Sequence, residues 1–509
     1  MQKIVSLKKM RDIERAADTS GLTYDQMMEN AGRSLACAIF AHSLKGMKFA
    51  LAIVGPGNNG GDALVASGLL AKAGWKSAAF LVGKRKKSDR LVKKAGKAGV
   101  KFLSSQKTFK SALLRCDLLL DGLLGTGIQL PLRDPFSDVL AHVGETIAQR
   151  AVPPFVVAVD CPSGMDCDSG ALAPETIKAD LSVTLAAVKL GMLTLPAYAY
   201  LGKLEVGEIG LPDDLPAWVA IHRLVIDEDL ARRALPSRPL EAHKGTFGTA
   251  LIVAGSQRFP GAALLAGEAA YRSGAGLVTL AVPEVVQPAI AGHLSEATWL
   301  PLPHEGGWIS AAGADLVSQN LERVTAMLLG PGFGQESTSK KFLDQLLGAK
   351  LPPLVVDADG LKLLARLQGW QERLPDDSVL TPHPGEMSVL TGLLLDDIQA
   401  KRIEMAERYA QAWKQIVVLK GAFTVVAAPD GRCAVLPLAT PALARAGTGD
   451  VLAGLITGLR AQGMPAFEAA CSAVWLHGQA GLQAAARLGG TAGVLARDLI
   501  SELPALIAR

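Results

Sequence analysis

Short apolar runs that end in Gly, Asp or Pro alternate with segments of helical period along this whole chain. In the first half the runs are FALAIVG, SAAFLVG, CDLLLDGLLG, FVVAVDCPSG and LSVTL. In the second they are GTALIVAGS, LVTLAVP, AMLLGPGFG, PLVVDADG, SVLTPHPGE and IVVLKG. Apolarity that is continuous, not alternating, predicts strands buried on both faces, and hence parallel sheets with the intervening helices as crossovers. The pattern therefore predicts an α/β fold. It is interrupted by GLPDDLPAW and again by LPSRPLEAHKG, with VIDEDLARRAL between them as a short helix capped by Asp227. The join falls near residues 214–222, giving domains over 1–215 and 222–509. No repeat of fixed period is present, so a solenoid is excluded.

Composition narrows this reading. A chain of 509 residues calls for more than one domain, and 49% apolar with 20% charged residues is globular, not disordered. With 52 basic against 48 acidic residues, nothing implies nucleic-acid binding. The one basic cluster, residues 83–97, reads as a solvated helix face. Six scattered cysteines without a C-x-x-C pair argue against a zinc site or disulfide framework and place the protein in a reducing compartment. The N-terminus lacks a signal-peptide core, and the longest apolar stretch carries Lys189 and Pro196. A cytoplasmic protein without a membrane segment is expected, as a homo-oligomer acting on small molecules.

Candidate chemistry gathers at strand ends. GPGNNGGD contains G-x-G-x-x-G (Gly55, Gly57, Gly60), but the next strand ends in Gly and bases where a dinucleotide fold wants an acid. An NADP-type reading accommodates those bases. Asn58, Asn59 and Asp62 add amides and a carboxylate that the fingerprint does not need. Asp121, Asp160 with Ser163, and Lys189 end three further runs. Each Asp alone reads equally as a helix cap or turn residue; four strand ends together point to one ligand site beyond the carboxyl edge of a sheet. In the second half, Gly447, Thr448 and Gly449 open a helix, a backbone anion hole with Asp450 as a candidate base. Lys420 to Thr424 form a turn that suits a nucleotide, and His383 stands between two prolines. There is no P-loop.

GPGNNGGD, DGLLGTG, AVD-PSG-D--G and GKLEVGEIGLP together resemble the epimerase domain of the bifunctional NAD(P)H-hydrate repair enzymes. HKGTFG, GPGFG, DADGL, TPHPGE, KG--T and GTGDVLAG resemble the dehydratase half of the same enzymes. The resemblance implies an N-terminal Rossmann-like three-layer domain and a C-terminal ribokinase-like domain. It implies epimerisation of hydrated NADH or NADPH (NADHX, NADPHX) at the hydroxyl-bearing ring carbon. Dehydration of the S form would follow at the expense of ADP, with Mg2+, giving NAD(P)H, AMP and phosphate. By position, the hydrate ligands are Asn58, Asn59, Gly60, Gly61, Asp62, Gly125, Thr126, Gly127, Ile128, Gln129, Leu130, Pro131 and Asp160. Potassium contacts are Asn59, Asp121 and Ser163, all oxygen donors suited to a hard cation.

In the second half, Ala262, Gly332, His383 and Asp450 are implied to contact the hydrate, and Lys420, Gly421, Ala422, Phe423, Thr424 and Gly449 to hold the nucleotide. Asp160 with Lys189 is assigned the epimerase proton chemistry, and Asp450 the base of the dehydratase. The chain departs from the family pattern at Ala63, Gly360, Lys362 and Arg445–Ala446. The competing reading is a ribokinase-like small-molecule kinase fused to a nucleotide-binding scaffold domain, which would release a stable phosphorylated product.

Overall fold

The structure, a computed structural model, describes residues 1–42, 46–83, 85 and 89–508. The chain divides into two compact units, Gln2–His222 and Arg223–Arg509. In the first, a short parallel pair joins β1 (Ile4–Val5) to β8 (Val188–Lys189). The main strands are β2 (Phe49–Val54), β3 (Lys76–Leu81), β4 (Lys101–Leu103), β5 (Leu118–Gly122), β6 (Phe155–Val159), β7 (Leu181–Leu185) and β9 (Lys203–Gly207). They form one parallel sheet in the order β4-β3-β2-β5-β6-β7-β9.

The alternation of β2 shows why its apolar run is unbroken. Ala50, Ala52 and Val54 join one core with the helices Tyr24–Ala41, Asn58–Lys72 and Arg90–Lys97. Phe49, Leu51 and Ile53 join the other, against Gln106–Leu113 and Phe136–Ala148. Three layers result. The strand order reverses between β2 and β5, so a crevice opens at their carboxyl ends.

In the second unit the main strands are β10 (Arg223–Val225), β11 (Thr249–Val253), β12 (Leu277–Pro283) and β13 (Thr298–Leu302). After the small hairpin of β14 (His304–Glu305) and β15 (Trp308–Ile309) come β16 (Ala326–Leu329), β17 (Leu354–Val356) and β18 (Val379–Leu380). The last are β19 (Ile416–Leu419), β20 (Val425–Ala427) and β21 (Cys433–Val435). The ten-stranded order is β10-β21-β20-β19-β18-β17-β16-β11-β12-β13. The expectation of parallel pairing holds except around β20, which runs antiparallel to both neighbours. Short connections of a few residues return the chain directly there, with no crossover helix.

Helix Thr448–Ala461 is held close to helix Pro260–Arg272 by small residues. A Cβ at Gly454 would lie 2.2 Å from the Ala266 carbonyl oxygen, and one at Gly458 would lie 2.5 Å from that of Ala270. This contact fixes where the helix points its N-terminus. Helix Arg90–Lys97 exposes Lys93, Lys94 and Lys97, whereas Lys84, Lys86 and Lys87 of the basic cluster lie outside the described residues. Asp227 caps helix Glu228–Arg233 by accepting from Leu230 N. Among the described residues, no helix is long and apolar enough to cross a membrane.

Two candidate active sites

In the first unit a cavity of about 600 Å³ opens at the carboxyl ends of the strands. Its lining includes Asn58, Asn59 and Asp62 after β2, Gly125, Thr126, Gly127 and Ile128 after β5, Asp160 after β6, and Lys189. Gly60 and Gly61 lie buried within the first turn of helix Asn58–Lys72, outside this lining. Gln129, Leu130 and Pro131 also fall outside it. Ala63 is accommodated because its methyl faces Gly122, where a Cβ would come within 2.5 Å.

Asp160 is strained and tied. Its φ of 63° is a left-handed conformation costly for a residue with a Cβ. Oδ1 accepts from Lys189 Nζ (2.5 Å), Thr184 Oγ1 (3.0 Å) and Leu185 N (2.9 Å). Oδ2 accepts no hydrogen bond from any described residue. Lys189, 1% exposed, uses its other donors on Thr184 Oγ1 and the Leu185 carbonyl. The pair is thus locked on one side, with a carboxylate oxygen free on the other. Asp62 is 5% exposed, and burial, then Asp160 and Glu14, push its carboxyl well above the usual range. Glu14, on helix Leu7–Thr19, lines the same cavity and is also raised, chiefly by burial. Sequence reasoning did not select Glu14, although an acid on the apolar face that includes Met10, Ile13 and Ala17 was its signal.

Beneath the loop after β5, Asp121 is 1% exposed. Its oxygens accept from Ser163 Oγ (2.5 Å) and Ser163 N (2.7 Å), and Ser163 Oγ in turn accepts from Leu124 N. Asn59 Nδ2 donates to the Leu124 carbonyl at 2.9 Å. Burial raises the Asp121 carboxyl, and among the described residues no Lys, Arg or His pairs with it. Its carboxyl is thus buried and held by neutral hydrogen-bond donors, without a cationic side chain as partner among the described residues.

In the second unit a cavity of about 470 Å³ is lined by His383, Lys420, Gly421, Ala422, Thr424, Thr448 and Gly449, among others. Phe423 is buried and lies outside the lining. Ala262 and Gly332 also lie outside it but beside each other, since a Cβ on Gly332 would meet that of Ala262 at 3.0 Å. Gly447 takes φ 89° at the start of helix Thr448–Ala461, and among the described residues the N–H groups of Gly449 and Asp450 have no acceptor. The helix end therefore presents free donors and a positive partial charge.

Lys420 Nζ donates to Asp357 Oδ1 (2.5 Å) and lies 3.7 Å from Glu386 Oε2. Burial opposes its charge, but Asp357 and Glu386 outweigh it and hold its pKa above the ordinary value. Asp450 is pushed up to about 7, first by burial and then by Asp357, with Lys420 opposing. His383 Nδ1 accepts from the N–H groups of Gly385 and Glu386, capping helix Pro384–Thr391; its Nε2 faces Glu386 Oε1 at 3.3 Å. Burial lowers its pKa, and with Nδ1 accepting, the neutral ring carries its proton on Nε2. Of the departures from the family pattern, Lys362 pairs with Asp359. Sequence reasoning also missed Glu386 and the buried His477, the one histidine of helix Ala466–Leu488.

Free helix-end donors beside a buried carboxyl raised to about 7, and a separate strained carboxyl–lysine pair, define a two-site α/β enzyme. The family model described as "NAD(P)H-hydrate dehydratase" matches residues 250–505, and that described as "YjeF-related protein N-terminus" matches residues 24–191. The chain is 36% identical to a bifunctional NAD(P)H-hydrate repair enzyme of Moorella thermoacetica over 98% of this chain and 96% of that one. It is 33% identical to the enzyme of that name from Escherichia coli, covering 98% and 92%. A crystal structure of an ADP/ATP-dependent NAD(P)H-hydrate dehydratase from Bacillus subtilis, co-crystallised with ATP/Mg2+, is 37% identical. It covers 56% of this chain and 98% of that one, with a TM-score of 0.49. The chain belongs to the family of bifunctional NAD(P)H-hydrate repair enzymes.

Proposed function

We infer that the chain repairs hydrated nicotinamide dinucleotides in two steps. The N-terminal domain, residues 1–215, interconverts the R and S hydrates of NADH and NADPH. The C-terminal domain, residues 222–509, dehydrates the S form with ADP. The observation that carries the second step is Asp450, a carboxyl pushed up to about 7 in the first turn of a helix whose Gly449 and Asp450 N–H groups lack acceptors among the described residues. The hydrate hydroxyl oxygen attacks the terminal phosphorus of ADP while Asp450 takes its proton; the new O–P bond forms as the bond to AMP breaks. The helix-end donors meet the charge that develops on the phosphoryl oxygens. Phosphate then leaves the ring carbon, a neighbouring ring proton is lost, and the dihydronicotinamide is restored. Lys420, Gly421, Ala422, Phe423, Thr424 and Gly449 are proposed to hold the nucleotide with Mg2+, and Ala262, Gly332 and His383 the hydrate.

For the epimerase, Asp160 with its free Oδ2 is the proposed proton-handling group, and Lys189 keeps it oriented. Asn58, Asn59, Gly60, Gly61, Asp62 and the loop from Gly125 through Thr126, Gly127, Ile128, Gln129, Leu130 and Pro131 are proposed to bind the hydrate. The buried, unpaired Asp121 fits a potassium ion, with Ser163 and Asn59 as further oxygen donors. When bound, potassium supplies fixed positive charge under the β5 loop. All six cysteines are free, which supports a cytoplasmic setting.

The test is incubation of the full chain with mixed hydrate epimers and ADP or ATP. Both epimers are followed chromatographically and the dihydronicotinamide by its near-ultraviolet absorbance. AMP and phosphate in equal amounts are expected with ADP. Accumulation of a phosphorylated hydrate would mark the kinase reading instead.

A further inference from the structure

His477 sits in the middle of helix Ala466–Leu488, is 8% exposed, and lines the nucleotide cavity. Its Nε2 lies 2.9 Å from the carbonyl oxygen of Thr448. A carbonyl only accepts, so Nε2 carries the proton and donates. Burial drives the ring pKa down to about 4, which keeps it neutral.

The Thr448–Gly449 peptide is planar and trans, so its C=O and N–H point in opposite directions. Fixing the oxygen therefore fixes the aim of the Gly449 N–H, which with that of Asp450 has no acceptor among the described residues. The helix bearing His477 is itself pressed into place. A Cβ on Gly478 would lie 2.8 Å from Leu436, and one on Gly481 would lie 2.6 Å from Leu443. Leu443, Ala444 and Arg445 follow in the cavity wall and lead into the helix at Thr448. His477, Gly478 and Gly481 thus occupy one stretch of helix that touches both the segment entering the anion hole and the anion hole's first carbonyl.

We propose that His477 is a positioning residue of the dehydratase: it clamps the Thr448–Gly449 peptide so that the Gly449 N–H is aimed at the transferring phosphoryl group. The inference rests on the nucleotide-dependent reading of this site. Preset donors matter most for charge that develops in the transition state, so the clamp acts on kcat more than on nucleotide KM.

The experiment uses the full chain, whose epimerase activity serves as an internal control. His477→Leu removes the donor and His477→Asn shortens it out of reach, whereas His477→Gln keeps a donating amide at similar reach. Loss of a complete oxyanion-type donor costs about 10²–10³ in kcat, and a misaimed one is expected to cost roughly 10–100-fold. The Leu and Asn variants should show that loss in dehydration, with nucleotide KM changed by less and epimerisation unchanged. The Gln variant should recover most of it. The pH profile of each slowed variant should keep the wild-type limb, because His477 transfers no proton.

A Leu or Asn variant that turns over within about twofold of wild type would overturn the proposal. So would a Gln variant as slow as the Leu variant, or a loss carried wholly by KM. If Leu does not fold, the Asn and Gln pair decides, since both are small enough for the site. Absence of nucleotide-dependent dehydration in the wild type would instead defeat the reading of the site itself.

Discussion

Asp450→Asn should make the dehydratase slower and more stable at once. Asparagine keeps the size and much of the hydrogen bonding but cannot accept the hydroxyl proton, so dehydration should fall by about 10²–10⁴. The stability change follows from the same environment. The folded protein holds this carboxyl at about 7, against an ordinary 3.8, through burial and the nearby Asp357. At about 1.4 kcal/mol per pKa unit, ionising it in place costs about 4 kcal/mol of folding free energy at most. Its partial solvent access reduces this, and a gain of about 2 kcal/mol for the variant is expected.

The sign fixes the pH window. Between about 4 and 7 the folded state binds the proton more tightly than the unfolded state, so wild-type stability falls as pH rises through that range. The advantage of the Asn variant should therefore be small near pH 4 and complete above about pH 7. In a domain of this size each kcal/mol moves Tm by about 2–4 °C, so a rise of roughly 4–8 °C at pH 8 is expected. Differential scanning calorimetry at pH 5 and pH 8, beside the epimer-resolved assay, measures both effects. Equal melting of the two proteins at both pH values, or dehydration near the wild-type rate, would refute the reasoning.

Four other outcomes are expected. Asp160→Asn should leave the S hydrate repaired while the R hydrate clears only at its spontaneous epimerisation rate; chromatography of both epimers checks this. Lys189→Met breaks a buried pair and should also cost the N-terminal unit about 3–5 kcal/mol, read by chemical denaturation. Potassium should raise the melting temperature of the N-terminal unit relative to lithium in the wild type, and Asp121→Asn should erase the difference. Cutting the chain between His222 and Arg223 should give two folded fragments, each retaining its own activity, as circular dichroism and the two assays would report.

Most of the architecture was legible because central parallel strands are buried on both faces and spell unbroken apolar runs. The edges were not. Lys101–Leu103, Lys203–Gly207, Arg223–Val225 and Thr298–Leu302 terminate the two sheets and are half exposed, so they carry mixed sequences. Residues at strand ends and at a helix start could be read from glycine and acid spacing, as at Asp121 and Asp160 and at Gly449. Glu14 and His477 were harder to read, because they reach their cavities from helices, where an isolated polar residue on an apolar face looks like any buried exception. The antiparallel course of β20 was hidden for another reason: three apolar residues carry no direction.

The pairing of β10 with β21 has a practical consequence. Cys433–Val435 is fully buried and apolar, and only Arg223–Val225 separates it from the margin of the sheet. Arg223 adds a fork to Glu407, with Nε and Nη2 each 2.8 Å from a carboxylate oxygen. This small strand works as a selvedge, finishing the fabric so that it does not ravel onto other chains. A dehydratase fragment begun at residue 250, where the family model starts, would lack it. Such a fragment would present a bare row of Cys433–Val435 backbone donors and acceptors to its neighbours, the condition under which sheets pair edge to edge and precipitate.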